Sequence, residues 1–359
     1  MKDAPRILYC VLNWGLGHAT RSIPLISKLR EFGFDIEIAS DGGPLKLLQK
    51  TFPDVVTHEL PGYDIQYPTK YLFVNAVTQM RKMFSAVPAE RRLIGEIVSR
   101  GHFDAIISDN RYGCHHADIP SILITHQMRN LTYSRLLQKP SEWIVDQFFK
   151  HFDEIWVPDT PDHALSGKAT VMHSGKVRFI GWLSDQWPQQ IAQSIHVAAI
   201  LSGPEPQRSY LEEEIRPQLA AYPGNCVLVR GVIEEGPAIV EGNLQVENYR
   251  DRQGIGQLLN SAQAIVCRTG YSSLMDLMQV GARALLIPTP GQPEQIYLGE
   301  QLKQHPQFVV QEQGNIHLQD GITTLLMQSF TPHRVDHSSL MTDAIMHLRE
   351  ALPAGAEMA

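Results

Sequence analysis

The residues Arg268-Thr269-Gly270-Tyr271-Ser272-Ser273 follow an apolar run, Ala264-Ile265-Val266-Cys267, and open a helical pattern over Ser272 to Val280. A strand that turns through a glycine into a helix can hold an anion. Gly270 permits close backbone approach, and the helix start offers free N–H groups and the positive end of its dipole, so a phosphate suits it. Asp276 sits in the opening turns, where a carboxylate can accept hydrogen bonds from a sugar diol, as acidic residues do for ribose in dinucleotide sites. A second apolar strand, Ala284 to Ile287, ends at Pro288-Thr289-Pro290-Gly291-Gln292-Pro293-Glu294-Gln295 and again leads into a helix. Two strand ends thereby present polar loops to one crevice.

The N-terminal half holds a different set of groups. Its first strand ends in Asn13-Trp14-Gly15-Leu16-Gly17-His18, immediately before a helix. Gly15 and Gly17 allow a ligand close to the backbone, and His18, with an unperturbed pKa of about 6.5, can accept a hydroxyl proton as a neutral imidazole. The alternative is that His18 caps the helix or contacts phosphate without moving protons. Asp109 and His126 each follow an apolar strand, at the ends where crevices form in open α/β sheets. Asp109 orients His18, acts as the base itself or caps a helix; His126 is a further candidate for that role, contacts an acceptor or packs in the interior.

Other patterns are weaker. Gly15-x-Gly17 with Asp41 is a partial dinucleotide fingerprint whose third glycine is replaced by Thr20, which argues against a nicotinamide enzyme. His115-His116 has no spaced third ligand and no convincing Asp-x-Asp pair occurs, so neither a metal nor another cofactor is expected. Tyr63, Tyr67 and Tyr71 either form a sugar-stacking wall or cover a domain edge. Ser202, Gly203 and Arg208, after the first strand of the C-terminal half, offer a second set of diphosphate contacts, while Pro204 and Pro206 remove N–H donors from that loop. Arg230 supplies charge to the crevice or pairs with Glu234 or Glu235.

Positioning these groups takes more than one domain, and 359 residues suffice for two. Apolar strands alternate with helices from Ile7 to Val157 and again from Val197 to Val310, the pattern of parallel sheets covered on both faces. The expected architecture is α/β: two doubly wound parallel-sheet domains facing a cleft, over 1–183 and 184–335, with a helix and tail at 336–359. The net charge is -7 and no basic tract occurs, so a nucleic-acid partner lacks its electrostatic footprint. Four separated cysteines without a CxxC pair suit buried thiols in a reducing cytosol. No apolar run approaches the ~18 residues of a membrane span and no signal peptide is recognised, so a cytoplasmic location is expected. The mixed basic and apolar stretch from Tyr71 to Arg92 leaves peripheral contact with a membrane surface open, against an ordinary core-facing helix.

Arg268-Thr269-Gly270-Tyr271-Ser272-Ser273-Leu274-Met275-Asp276, with Gly281, Pro288 and Gln295, resembles the donor-site signature of glycosyltransferase family 28, and the loop at His18 resembles that family's Gly-Gly-His loop. Thr269 stands for the family's serine and Ile296 for its frequent second glutamine. The resemblance implies the GT-B fold, with the Arg268–Gly270 turn, Ser272 and Ser273 facing a nucleoside diphosphate. It further implies Asp276 on the ribose, Glu294 and Gln295 by the donor sugar, the loop Val246 to Asp251 by the uracil ring, and His18 by the acceptor. The implied activity is inverting, metal-independent transfer of a sugar from a UDP-linked donor to a hydroxyl of a glycan, a lipid-linked sugar or a small molecule. Hydrolysis or epimerisation of a nucleotide sugar, and binding without catalysis, are the alternatives.

Overall fold

The computed structural model describes residues 4–63, 72–127, 143, 145–167, 176–232, 234, 236–332 and 338–352, with the side chains of 72–84 outside that set. The chain divides into two compact units, Met1–Ile65 with Thr78–Leu183 and Asp336–Ala359, and Gln66–Val77 with Ser184–Val335. The first holds β1 (Arg6–Val11), α1 (Gly17–Glu31), β2 (Asp35–Ser40), α2 (Gly42–Thr51), β3 (Thr57–Glu59), most of α3 (Leu72–Arg100), β4 (Ala105–Asp109), β5 (Ser121–Ile124), β6 (Glu154–Val157) and β7 (Val177–Phe179). Its seven strands are all parallel in the order β3-β2-β1-β4-β5-β6-β7.

That order decides where a ligand can go. From β1 the chain moves to β2 on one side, whereas from β4 it moves to β5 on the other, so β1 and β4 flank the point where the winding reverses. Ligands of open α/β sheets bind in the crevice outside the carboxyl ends of strands at such a point. Val11 pairs in register with Asp109, which brings the loop that carries His18 beside the end of β4. The strands can occupy the sheet centre because their middles are apolar: Leu8, Cys10 and Ile106 are buried in one cluster with Ile94 of α3 and Cys114. Each such buried aliphatic side chain contributes about 1.5–3 kcal/mol.

The second unit repeats the plan with β8 (Ile195–Ile200), α4 (Gln207–Ala220), β9 (Cys226–Val229), β10 (Ile239–Glu241), β11 (Leu244–Glu247), α5 (Arg252–Ser261), β12 (Ala262–Cys267), α6 (Tyr271–Val280), β13 (Ala284–Leu286), α7 (Pro293–Leu302), β14 (Phe308–Val310) and α8 (Leu318–Met327). The strand order is β10-β11-β9-β8-β12-β13-β14, reversing between β8 and β12, so the loops at Ser202 and at Arg268 flank its switch point. Leu211, Ile215 and Leu219 of α4 and Leu318, Ile322 and Leu325 of α8 cover one face of this sheet. β10 departs from the parallel pattern. It forms an antiparallel hairpin with β11 around Gly242-Asn243, with Gly242 at φ 63°.

The last helix, α9 (Ser338–Ala351), belongs to the first unit, where Arg349 donates to the Phe32 carbonyl and its guanidinium lies 6.0 Å from the Phe34 ring. Gly281 ends α6 at φ 77°, a left-handed cap for which glycine carries no Cβ penalty. Among the described residues no helix is long and apolar enough to cross a membrane. The stretch from Tyr71 to Arg92 read for membrane contact falls mostly outside the described side chains, as do Tyr67 and Tyr71. Tyr63 is not a sugar-stacking surface: it is buried and donates to Glu90 at 2.6 Å. Glu90 and Asp41 in turn pair with the buried Arg111, whose Nε donates to the Val11 carbonyl at 2.8 Å. Asp41 therefore braces the strand ends beneath the His18 loop instead of presenting itself to a ribose.

Candidate functional site

In the first unit, α1 begins at Gly17, and His18 occupies its first turn with Nδ1 3.0 Å from Asp109 Oδ1. Asp109 is fully buried at the end of β4, and Arg21 holds it through Nε at 2.9 Å and through a second guanidinium nitrogen. Arg21 reaches this point because it follows His18 by three residues and so shares its face of the helix. Ser22 Oγ donates to the His18 carbonyl at 2.8 Å and lies 3.3 Å from Asp109 Oδ2. His126, also buried, accepts from Arg21 at Nδ1 over 3.2 Å. His18, Asp109 and His126 thus meet around Arg21, a residue the sequence reading passed over.

The electrostatics assign roles within this cluster. Burial works against a charged Asp109, but the Arg21 guanidinium and His18 with their hydrogen bonds hold its carboxyl far below the usual carboxylate range. An ionised carboxylate only accepts, so His18 Nδ1 carries the proton and its Nε2 keeps a free lone pair. Burial and then the Arg21 charge lower the His18 pKa below 6.5, so the ring is neutral at physiological pH. The arrangement yields an oriented imidazole base backed by a buried anion. Asp109 caps no helix and lies sealed beneath His18 and Arg21, where it can orient the imidazole. Gly15 adopts φ 76° in the loop before α1.

In the second unit, α6 starts at Gly270, which has φ -76° and ψ 137°. A Cβ added there would meet nothing closer than Ser273 Oγ at 3.9 Å, so neither conformation nor packing within the chain demands a glycine. Ser272 and Ser273 stand partly exposed in the first turn of this helix. Gly203, in the loop after β8, does require glycine, with φ 105°, and neighbouring Ser202 is partly exposed.

Five of the expected groups are engaged within the chain. Arg268 is 1 % exposed and points into the unit, donating to the carbonyls of Gln207 at 2.6 Å and of Ile287 and Pro288 at 3.4 Å. Burial pulls its guanidinium down to about 10. It ties loops together and is not turned toward a diphosphate. Arg208 pairs with Glu205 and with Glu212 at 3.1 Å, and donates to the Arg230 carbonyl at 3.0 Å. Arg230 binds Glu212 at 2.7 Å and Asn248 at 3.0 Å; Glu235 lies outside the described residues. Thr269 is buried and donates to the Gln295 carbonyl at 2.8 Å. Gln295 Oε1 accepts from Thr289 N and Oγ1, both at 2.9 Å, so this amide oxygen fastens its own loop. Glu294 is partly exposed in the first turn of α7.

Asp276 accepts from Ser184 Oγ at 2.6 Å and from Arg252 at 2.8 and 3.2 Å, while Arg252 also grips Asp185. Ser184, Asp185 and Arg252 had no local sequence signal, because they lie 92, 91 and 24 residues from Asp276. Two carboxylate oxygens have about four lone-pair sites, so a further hydroxyl can share Asp276. Asp276→Asn is expected to weaken UDP binding by about tenfold, the equivalent of one charge-assisted hydrogen bond of about 1.5 kcal/mol. Isothermal titration checks this; a lower melting temperature with unchanged UDP affinity would instead make Asp276 a brace for residues 184–185.

Among the described residues no three His, Cys, Asp or Glu side chains gather as a metal site would require. His115 stacks on His151, with ring centroids 4.7 Å apart.

Residues 233–347 match the glycosyltransferase family 28 C-terminal domain. No curated protein sequence matches the chain. Among solved structures, the glycotransferase of kitacinnamycin superposes with a TM-score of 0.64 at 17% identity, over 98% of this chain and 100% of that one. The calicheamicin glycosyltransferase CalG4 gives 0.65 at 14% identity, over 98% and 99%. MurG from Acinetobacter baumannii gives 0.52 at 14% identity, over 97% and 95%. Residues 233–347 thus resemble the family 28 C-terminal domain, and the two doubly wound sheets share the GT-B fold of these solved glycosyltransferases.

Proposed function

We propose that the protein transfers a sugar from a pyrimidine nucleoside diphosphate, UDP in the first instance, to an acceptor hydroxyl with inversion and without a metal. The observation that carries this reading is the neutral His18, oriented by a buried, ionised Asp109. His18 Nε2 takes the acceptor's hydroxyl proton as the oxygen bonds to the anomeric carbon. The bond from that carbon to the diphosphate oxygen breaks from the opposite face, and its electron pair leaves with the nucleotide. The helix start at Gly270, with Ser272 and Ser273, stabilises the departing charge. With Arg268 turned inward, that task rests on backbone N–H groups and hydroxyls. The spinosyn rhamnosyltransferase SpnG, of the same fold, has been solved with thymidine diphosphate, so TDP-linked donors belong in the same test.

The deciding assay measures release of UDP or TDP from a panel of nucleotide sugars, with and without candidate acceptors. Acceptor-dependent release supports transfer. A putative UDP-N-acetylglucosamine 2-epimerase from Listeria monocytogenes also shares the fold, at 10% identity, and favours a second reading in which the donor is epimerised or hydrolysed. Nucleotide release or sugar conversion without any acceptor would support it. Turnover is expected to survive EDTA; loss restored specifically by manganese or magnesium would overturn the metal-free mechanism.

A further inference from the structure

Resting on the donor-site reading above, we propose that Gln292 is the residue that reads a hydroxyl of the donor sugar. The position expected to do so, Gln295, has its Oε1 occupied by both donors of Thr289. The adjacent position is Ile296, with no polar group in its side chain. Gln292 lies in the same loop, at the N-cap of α7, yet its side chain does not cap the helix. It is 8 % exposed, and its Oε1 is buried without any hydrogen-bond donor.

The backbone holds this amide in place. Gln292 N donates to the Thr289 carbonyl at 3.2 Å, and its own carbonyl accepts from Ile296 N at 3.2 Å. Three residues on, the Gln295 carbonyl accepts from Thr269, the residue before Gly270. The start of α7 is thereby fastened to the turn that opens α6, so a donor whose diphosphate sits at Gly270 has its sugar by the loop that carries Gln292. A buried amide oxygen without a donor is costly in the empty protein. A sugar hydroxyl that donates to it relieves the cost only when the site is filled, which converts a defect of the free chain into selectivity for the bound donor.

The test compares wild type with Gln292→Met, which removes the amide at similar volume, and Gln292→Glu, which keeps an acceptor. UDP is titrated into each, and turnover is measured with UDP-glucose, UDP-galactose and UDP-N-acetylglucosamine. In Gln292→Met the UDP affinity is expected to hold, the KM of the preferred donor to rise about tenfold, and the preference between the epimers glucose and galactose to shrink. Gln292→Glu should recover much of that preference. Unchanged donor KM and selectivity in Gln292→Met, or a parallel loss of UDP affinity and melting temperature, would overturn the assignment. Failure of wild type to bind UDP or TDP would overturn the donor-site reading itself, and is told apart because it appears before any substitution is made.

Discussion

Turnover is expected to fall by about 10²- to 10⁴-fold in His18→Ala, the usual contribution of a positioned general base, while the affinity for UDP holds. The split follows from where the groups sit. His18 belongs to the sheet of the first unit, with Asp109 behind it, whereas Gly270, Ser272, Ser273 and Asp276 belong to the second. A histidine that only contacted donor phosphate would lose UDP affinity instead. The pH profile supplies an independent check. The folded His18 pKa lies below 6.5, so the base is already neutral at pH 7, and the acid limb of kcat/KM should fall below pH 6.5 and disappear in His18→Ala. The same shift makes a statement about stability. Because the unfolded histidine binds its proton more readily than the folded one, the neutral ring's contribution is present above the unfolded value of 6.5 and is lost as the pH falls below it. A limb that persisted unchanged in the variant would assign the titration to another group.

Much of this could be read from the chain because the relevant signals are local. Strands such as Leu8–Val11 and Ala264–Cys267 are apolar on both faces, which only a sheet covered on both sides explains, and the glycines after β1 and β12 mark the turns that lead into α1 and α6. The β10–β11 hairpin had a local signal too, in Gly242-Asn243, but β10 is a three-residue edge strand with Ile239 and Val240 exposed, too short for periodicity to register. What stayed hidden were partnerships across long sequence separations. Arg268 at the end of a strand looks like charge offered to a ligand, and only the fold brings the carbonyls of Gln207 and Ile287 around its guanidinium. Arg208 and Gln295 mislead in the same way, since side-chain type announces what a group can bind but not whether a neighbour already occupies it. Arg21 was overlooked for the converse reason. Charged residues on a helix are ordinarily solvated, and its burial against Asp109, 88 residues away, is a property of the β1–β4 junction.

Asp109 is where catalysis and folding should fail together, and the two effects can be separated. Removing it in Asp109→Ala takes from the buried Arg21 guanidinium the carboxylate that it grips through two nitrogens. Breaking a buried ion pair from one side typically costs about 3–5 kcal/mol, so this variant is expected to unfold at markedly lower denaturant than wild type. Asp109→Asn preserves shape and one acceptor oxygen. It removes the charge that steadies the imidazolium formed during proton transfer, and it lets the amide NH₂ face His18 Nδ1, which favours the tautomer with its lone pair pointing away from the acceptor. Turnover in Asp109→Asn should therefore fall nearly as far as in His18→Ala, with a smaller loss of stability than in Asp109→Ala. The double variant His18→Ala/Asp109→Asn should be scarcely slower than either single one, since both act through the same proton transfer. Denaturant melts and kcat measured on wild type and these four variants check this. Multiplicative losses in kcat would mean that Asp109 works by some route other than His18, and a fully active Asp109→Asn would remove the buried anion from the mechanism.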